Sequence, residues 1–181
     1  ASGYVRARVP APVSGAFVAL VQNVRATQFQ GKRVRVSGFL RADSVSGEGA
    51  GIWMRVDAHN RMLALDNMLD RPVLGSRDWH EASVVVDVPS DAVGIAFGVL
   101  LSGGGTLHVD DMHFEIVASS VPVTAPTISD TTTTYADGIG QNYSSAGESP
   151  RNLDFEGVTP AEALPAIRGR KTMANRGAPV G

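Results

Sequence analysis

Trp53, Arg55 and Asp57 alternate along the segment Gly51-Ile52-Trp53-Met54-Arg55-Val56-Asp57, with Ile52, Met54 and Val56 between them. In an extended strand this spacing puts the ring, the guanidinium and the carboxylate on one face and the three apolar side chains on the other. An indole stacks on a flat ligand, while a guanidinium and a carboxylate supply a donor and an acceptor for its polar groups. The chemistry is that of holding a polar ligand, and it points to binding rather than catalysis. A second reading stays open: the same face packs against the tail or a partner chain, with Arg55 and Asp57 as an ordinary ion pair. Arg35 and Phe39 join the ligand-binding set if their strand lies adjacent on the same face.

Other constellations are weaker. His59, His80, His108 and His113 include one pair within a strand, five residues apart and so on opposite faces unless a bulge intervenes, which argues against a zinc triad. Gly103 to Gly105 lack the lysine and following helix of a phosphate loop, so they read as a hairpin turn. There is no Gly-x-Ser-x-Gly elbow, His-Glu-x-x-His motif or cofactor fingerprint, and nothing supports an enzyme. Trp79, just before a strand, reads as core or rim.

These residues need a β framework. From Tyr4 to Val117 short alternating runs are separated by Gly, Pro, Asn, Asp and Ser, the pattern of an antiparallel sandwich. The predicted strands are Tyr4–Val9, Gly15–Val24, Arg33–Arg41, Gly51–Ala58, Met62–Asp66, His80–Val88, Val93–Leu101 and Thr106–Val117. The fold class is therefore all-β, an antiparallel jelly-roll sandwich of about eight strands. Val24–Gly31 and Pro160–Ile167 could each form only a turn of helix. In the last strand Leu107 and Val109 are apolar at odd positions, and Met112, Phe114 and Ile116 at even ones. The change at Asp110-Asp111 is either a β-bulge or a strand end with two turn aspartates. Paired aspartates beside irregular backbone are also raw material for a calcium site.

Beyond residue 118 the composition becomes that of a Ser/Thr/Gly/Pro-rich linker over 119–150, followed over 151–181 by a short strand and a loosely ordered tail. The sandwich spans 1–118. The chain carries 16 basic and 18 acidic residues, so no global attraction to nucleic acid or an anionic membrane is expected. Ala92–Leu101, the longest apolar run, falls well short of the roughly 20 residues that span a bilayer. No cysteine is present, which excludes disulfides and thiol chemistry and leaves the compartment open. No signal peptide is read at the N-terminus, and the abrupt start is what a fragment or processed chain would give.

A family resemblance rests on Phe29-x-Gly31-Lys32-x-Val34-x-Val36-Ser37-Gly38, Trp53-Met54-Arg55-Val56-Asp57, Leu65-Asp66-Asn67-Met68, Asp70-Arg71-Pro72, Asp78-Trp79 and Val109-Asp110-Asp111. Together they resemble the galactose-binding-like β-sandwich module over about Tyr4 to Val117. That module is similar to carbohydrate-binding modules and to accessory domains of bacterial transcription regulators and tail-specific peptidases. The resemblance implies a non-catalytic recognition or accessory module with carbohydrate, or another small polar ligand, on the Trp53 face. The rival reading, of a different class, is a structural, regulatory or protein-interaction domain whose polar face binds protein, with strand exchange into a homo-oligomer as one route. In the carbohydrate-binding relatives an Asn-x-x-Phe-Glu motif opens the first strand, and its glutamate joins an aspartate of the Asp-Asp pair at a structural calcium. The matching residues would be Asn152, Phe155 and Glu156, with Asp110 or Asp111 as the other metal ligand. Here the motif follows the Asp-Asp strand. It could open a truncated second copy, fold back to complete its own sandwich, or be donated to a neighbour; self-completion is preferred because it needs no partner.

Overall fold

A computed structural model describes residues 3–6, 16–125, 143–151, 153 and 167–170. Among these the strands are β1 (Gly3–Arg6), β2 (Ala16–Arg25), β3 (Lys32–Asp57), β4 (Met62–Asp66), β5 (Val73–Val88), β6 (Gly94–Ser102), β7 (Thr106–Val117) and β8 (Ile167–Arg170). All the pairings between strands are antiparallel, and no helix occurs among the described residues. The expected all-β jelly-roll sandwich is the fold.

β3 organises the molecule. Its first part, Lys32 to Asp43, lies between β5 and β7, and β7 in turn carries β1. Its second part, Gly49 to Asp57, lies between β6 and β4, and β6 carries β2 and then β8. One strand therefore belongs to both sheets. The sequence expectation placed a break between Arg41 and Gly51; the structure keeps the backbone paired through it. Ser44, Gly47 and Gly49 take φ of 54°, 81° and 95°, and the register with β5 slips three times between Leu40 and Ala50. Two of these three positions are glycine, for which the left-handed region is not penalised. β5 follows the bend from Val73 and so begins earlier than the expected His80.

The apolar faces of the two sheets close on each other. Val34, Val36 and Leu40 meet Ile52, Met54 and Val56 in one continuous cluster that includes Phe97 of β6. Each such fully buried aliphatic side chain contributes about 1.5–3 kcal/mol of transfer free energy. The outward residues of the two halves of β3 consequently point away from each other, on opposite sides of the sandwich.

At Asp110-Asp111 the structure decides between the two sequence readings. Ser37 pairs with His113 and Phe39 with Asp110, so three steps on β7 oppose two on β3, with Asp111 at φ 48°. This is a β-bulge, and it brings Met112 and Phe114 inward after Leu107 and Val109. It also returns His108 and His113 to the same outward face. The turn of helix expected over Val24–Gly31 does not form: Val24 and Arg25 end β2, and 26–31 is a hydrogen-bonded turn, with Phe29 N and Gln30 N both donating to Ala26 O.

Parts of the expected linker are tied down. Thr124 clasps the outer edge of β5, its N–H donating to Val85 O at 2.9 Å and its hydroxyl accepting from Val85 N at 2.7 Å. An otherwise unpaired sheet edge is thereby covered. β8, in the expected loose tail, pairs with the first half of β2. Leu153, within the Asn-x-x-Phe-Glu segment, packs on the core, and its carbonyl accepts from Met112 N at 3.2 Å beside the bulge. Of that segment only Leu153 is described; Asn152, Phe155 and Glu156 lie outside the described residues.

Candidate functional site

β3 sets Trp53, Arg55 and Asp57 on the outward face of the second sheet, as their alternation requires. Opposite them on β6 stand Gly98, Ala96 and Gly94. Two of these three are glycines with no space for a Cβ, which would meet the Tyr143 ring at Gly94 and the Leu20 carbonyl at Gly98. At one end Met68 covers Gly51, where an added Cβ would meet its side chain at 3.0 Å. Met68 is held by its own N–H donating to Asp66 Oδ1 at 2.9 Å, and Asp66 is anchored to Arg71 at 2.7 Å.

Charge on this face is paired. Arg55 Nε donates to Asp57 Oδ2 at 2.9 Å, and Asp57 is fully buried. The same carboxylate oxygen accepts the Tyr143 hydroxyl at 2.5 Å. Tyr143 comes from the stretch read as linker, and its ring lies directly over Gly94, where a Cβ would overlap it. Burial, then the adjoining Asp57 carboxylate, push the phenol well above its ordinary range. Trp53 between these ends is half-buried, and its indole N–H is buried with no acceptor. A buried donor left unpaired costs about 1–3 kcal/mol.

Tyr143 is the head of a strap. Residues 143–151 run beside the second half of β2, with Val24 bridging Gly147 in parallel and Arg25 N donating to Gly147 O at 2.9 Å. Arg25 also pairs with Glu148 at 3.0 Å and donates to Ser144 O at 2.8 Å. Gln28 donates to Glu148 O, and Gln22 exchanges two hydrogen bonds with the Arg151 backbone. Sequence reasoning missed Tyr143 because nothing local distinguishes one tyrosine in a Ser/Gly-rich stretch. The readable signal was at its partner: Gly94 is a glycine at the start of an otherwise apolar strand, where a Cβ would overlap the Tyr143 ring.

The other expected site residues lie elsewhere. Arg35 is on the outward face of the first sheet, paired with Glu115 at 2.7 Å, and Phe39 is exposed on the same face. Neither shares the Trp53 face. Asp110 caps its neighbour by accepting from Asp111 N at 2.9 Å, and Asp111 lies 3.2 Å from His113. Among the described residues no three His, Asp or Glu side chains converge as metal ligands. Glu156 lies outside those residues.

No family model matches the chain. A relative from Bacillus subtilis (strain 168), the uncharacterized HTH-type transcriptional regulator YbfP, is 40% identical over 125 residues. The match takes in 68% of this chain and 42% of the relative, so the chain spans less than half of that protein's length. Among solved structures, the Stig cyclase Fisc from Fischerella sp. TAU is similar at 13% identity and a TM-score of 0.46, over 64% of this chain and 63% of its own. A CBM4 structure is similar at 18% identity and a TM-score of 0.42, over 64% and 71% of the two chains. The CBM22-1–GH10 modules of Clostridium thermocellum xylanase 10B, complexed with xylohexaose, match at 11% identity and a TM-score of 0.36, over 64% and 26%. Likenesses of this size assign no activity.

Proposed function

We propose that this chain is a non-catalytic recognition module of a larger bacterial protein, a transcription regulator, and that carbohydrate is the ligand class of its Trp53 face. The observation that supports this reading is the Tyr143 hydroxyl on Asp57, within the face that also carries Trp53 and Arg55. A phenolic O–H there occupies the acceptor that a sugar hydroxyl would use. In this reading Trp53 is the stacking platform, Arg55 the donor and Asp57 the acceptor, and the ligand enters by displacing Tyr143. The similarity to YbfP, described as an HTH-type transcriptional regulator, supports placing the module in a regulator. The test is binding to immobilised glycans by wild type, Trp53→Ala and an exposed control, Glu115→Gln. Weakened binding of at least one immobilised glycan in Trp53→Ala alone is expected; equal binding of every glycan by all three would sink the assignment.

A structural calcium remains part of the proposal, with Asp110 or Asp111 and Glu156 as ligands. The Leu153 contact with Met112 supports it, because Leu153, three residues before Glu156 in the sequence, lies beside the bulge. If it holds, calcium raises the melting temperature and Glu156→Gln abolishes the rise.

The rival reading, an interaction domain working by strand exchange, draws on β8. β8 and the 143–151 strap both complete the β2 edge from the C-terminal side, and two copies could trade the same pairings. Mass in solution decides: a monomer at micromolar concentration removes exchange.

A further inference from the structure

The outward face of the first sheet carries a row of side chains that neither its core nor its edges use. Tyr4 pairs across strands with His108, and His108 with Arg41, while Trp79 reaches the row from β5. The row thus crosses β1, β7, β3 and β5. Tyr4 and His108 ring centroids are 5.9 Å apart, Trp79 and His108 centroids 6.4 Å apart, and the Arg41 guanidinium lies 5.8 Å from the Trp79 centroid. Trp79 was expected in the core or at the rim. It is 38% exposed, Tyr4 is 62% exposed, and Phe39 on the same face is 42% exposed. Isolated exposed apolar side chains need no explanation, but a contiguous set of rings on a polar face does.

Polar groups are built into the row. Arg41 Nη2 lies 3.2 Å from both Asp43 Oδ2 and His108 Nε2, and His108 Nε2 lies 2.8 Å from Asp43 Oδ2. Arg41 Nε is buried and has no partner. The guanidinium only donates and the carboxylate only accepts, side by side. Vicinal hydroxyls satisfy both at once, each being donor and acceptor, while the C–H face of the same sugar stacks on a ring. An anionic ligand would meet Asp43, and a cationic one would meet Arg41. Three strand spacings of about 4.8 Å make the row about 14 Å long, more than one sugar ring.

We propose that Tyr4, Arg41, Asp43, Trp79 and His108 form a second recognition site, on the opposite side of the sandwich from Trp53, for a neutral oligosaccharide of at least two units. Trp79 and Tyr4 are the stacking rings, and Arg41 with Asp43 reads a vicinal diol. The site does not depend on the Trp53 reading, and either can fail alone.

The chain has two tryptophans, which lets each face report separately. Wild-type chain is screened on an array of neutral oligosaccharides, and the strongest hit is titrated by calorimetry into wild type, Trp79→Ala, Trp79→Tyr, Asp43→Asn and Trp53→Ala. Trp79→Ala is expected to weaken binding about tenfold and Trp79→Tyr to retain most of it, with Trp53→Ala leaving this site's affinity within about twofold. In Trp53→Phe the remaining Trp79 fluorescence should shift on titration. Because Asp43 is a surface residue, Asp43→Asn keeps the test valid if Trp79→Ala fails to fold, and it too should weaken binding. Binding lost in Trp53→Ala yet unchanged in Trp79→Ala and Asp43→Asn overturns the second site and leaves the first. The absence of any neutral glycan ligand overturns both.

Discussion

Gly94→Ala tests whether Tyr143 is seated on the recognition face in solution. Gly94 lies opposite Asp57, its φ is outside the left-handed region, and an added Cβ would overlap the Tyr143 ring. The substitution is therefore a steric probe of the strap and leaves the strand geometry alone. Displacing the ring removes the phenol hydrogen bond to the fully buried Asp57 carboxylate. A hydrogen bond to a charged group contributes about 1.5–3 kcal/mol, so about 2 kcal/mol should be lost. Against this, alanine restricts the unfolded chain and returns about 0.5 kcal/mol. Net destabilisation of about 1.5 kcal/mol follows, a fall in melting temperature of about 3–6 °C for a chain of this size. In a Tyr143→Ala background the clash is gone, and Gly94→Ala should be neutral or stabilising by about 0.5 kcal/mol. Urea midpoints of the four proteins give the coupling energy, expected near 2 kcal/mol. Independent sites add to within about 0.5 kcal/mol, so a coupling no larger than that would refute the seating of Tyr143 over Gly94.

The phenol of Tyr143 titrates higher folded than unfolded, so its contribution is complete below the ordinary tyrosine value of about 10 and is lost as pH rises above it; Tyr143→Phe should flatten this alkaline fall in melting temperature. At the acid end, Asp87 beside Arg33 and Asp43 beside His108 titrate lower when folded. Their contribution is present above the unfolded value of about 3.9 and disappears below it, with Asp87→Asn shrinking an effect kept small by solvent. Asp111, at φ 48°, tolerates glycine, whereas Asp111→Val should cost about 1–2 kcal/mol in urea unfolding, and equal stability of the two variants would count against the bulge.

The fold was legible because period-two patterning survives in nearly every strand: Val34/Val36/Leu40, Ile52/Met54/Val56 and Val84/Val86/Val88 all turn inward as their alternation requires. It failed to show where β3 continues. Ser44-Val45-Ser46-Gly47-Glu48-Gly49 has the composition of a loop, yet φ values that ordinarily mark a turn here let one strand change sheets. Pattern alone could not separate bulge from strand end at Asp110-Asp111, since both leave the same phase change; only the pairing of Ser37 and Phe39 with β7 does.

The site was legible in its strand and opaque in its surroundings, for a reason of range. Alternation fixed the company of Trp53, Arg55 and Asp57, but what covers Asp57 comes from 86 residues further on, where no periodicity exists to read. The same limit separated Arg35 and Phe39 from Trp53: local pattern says outward, and only the bend of β3 says that outward means opposite directions. The row of Tyr4, His108, Arg41 and Trp79 is the extreme case. Its four side chains come from four strands, His108 reaches the shared face through cross-strand register, and no window of sequence contains more than one member of it. Recognition surfaces on a sandwich are laid across strands, at right angles to the direction in which a sequence is read. A platform of this kind therefore becomes visible only when pairing and register are known.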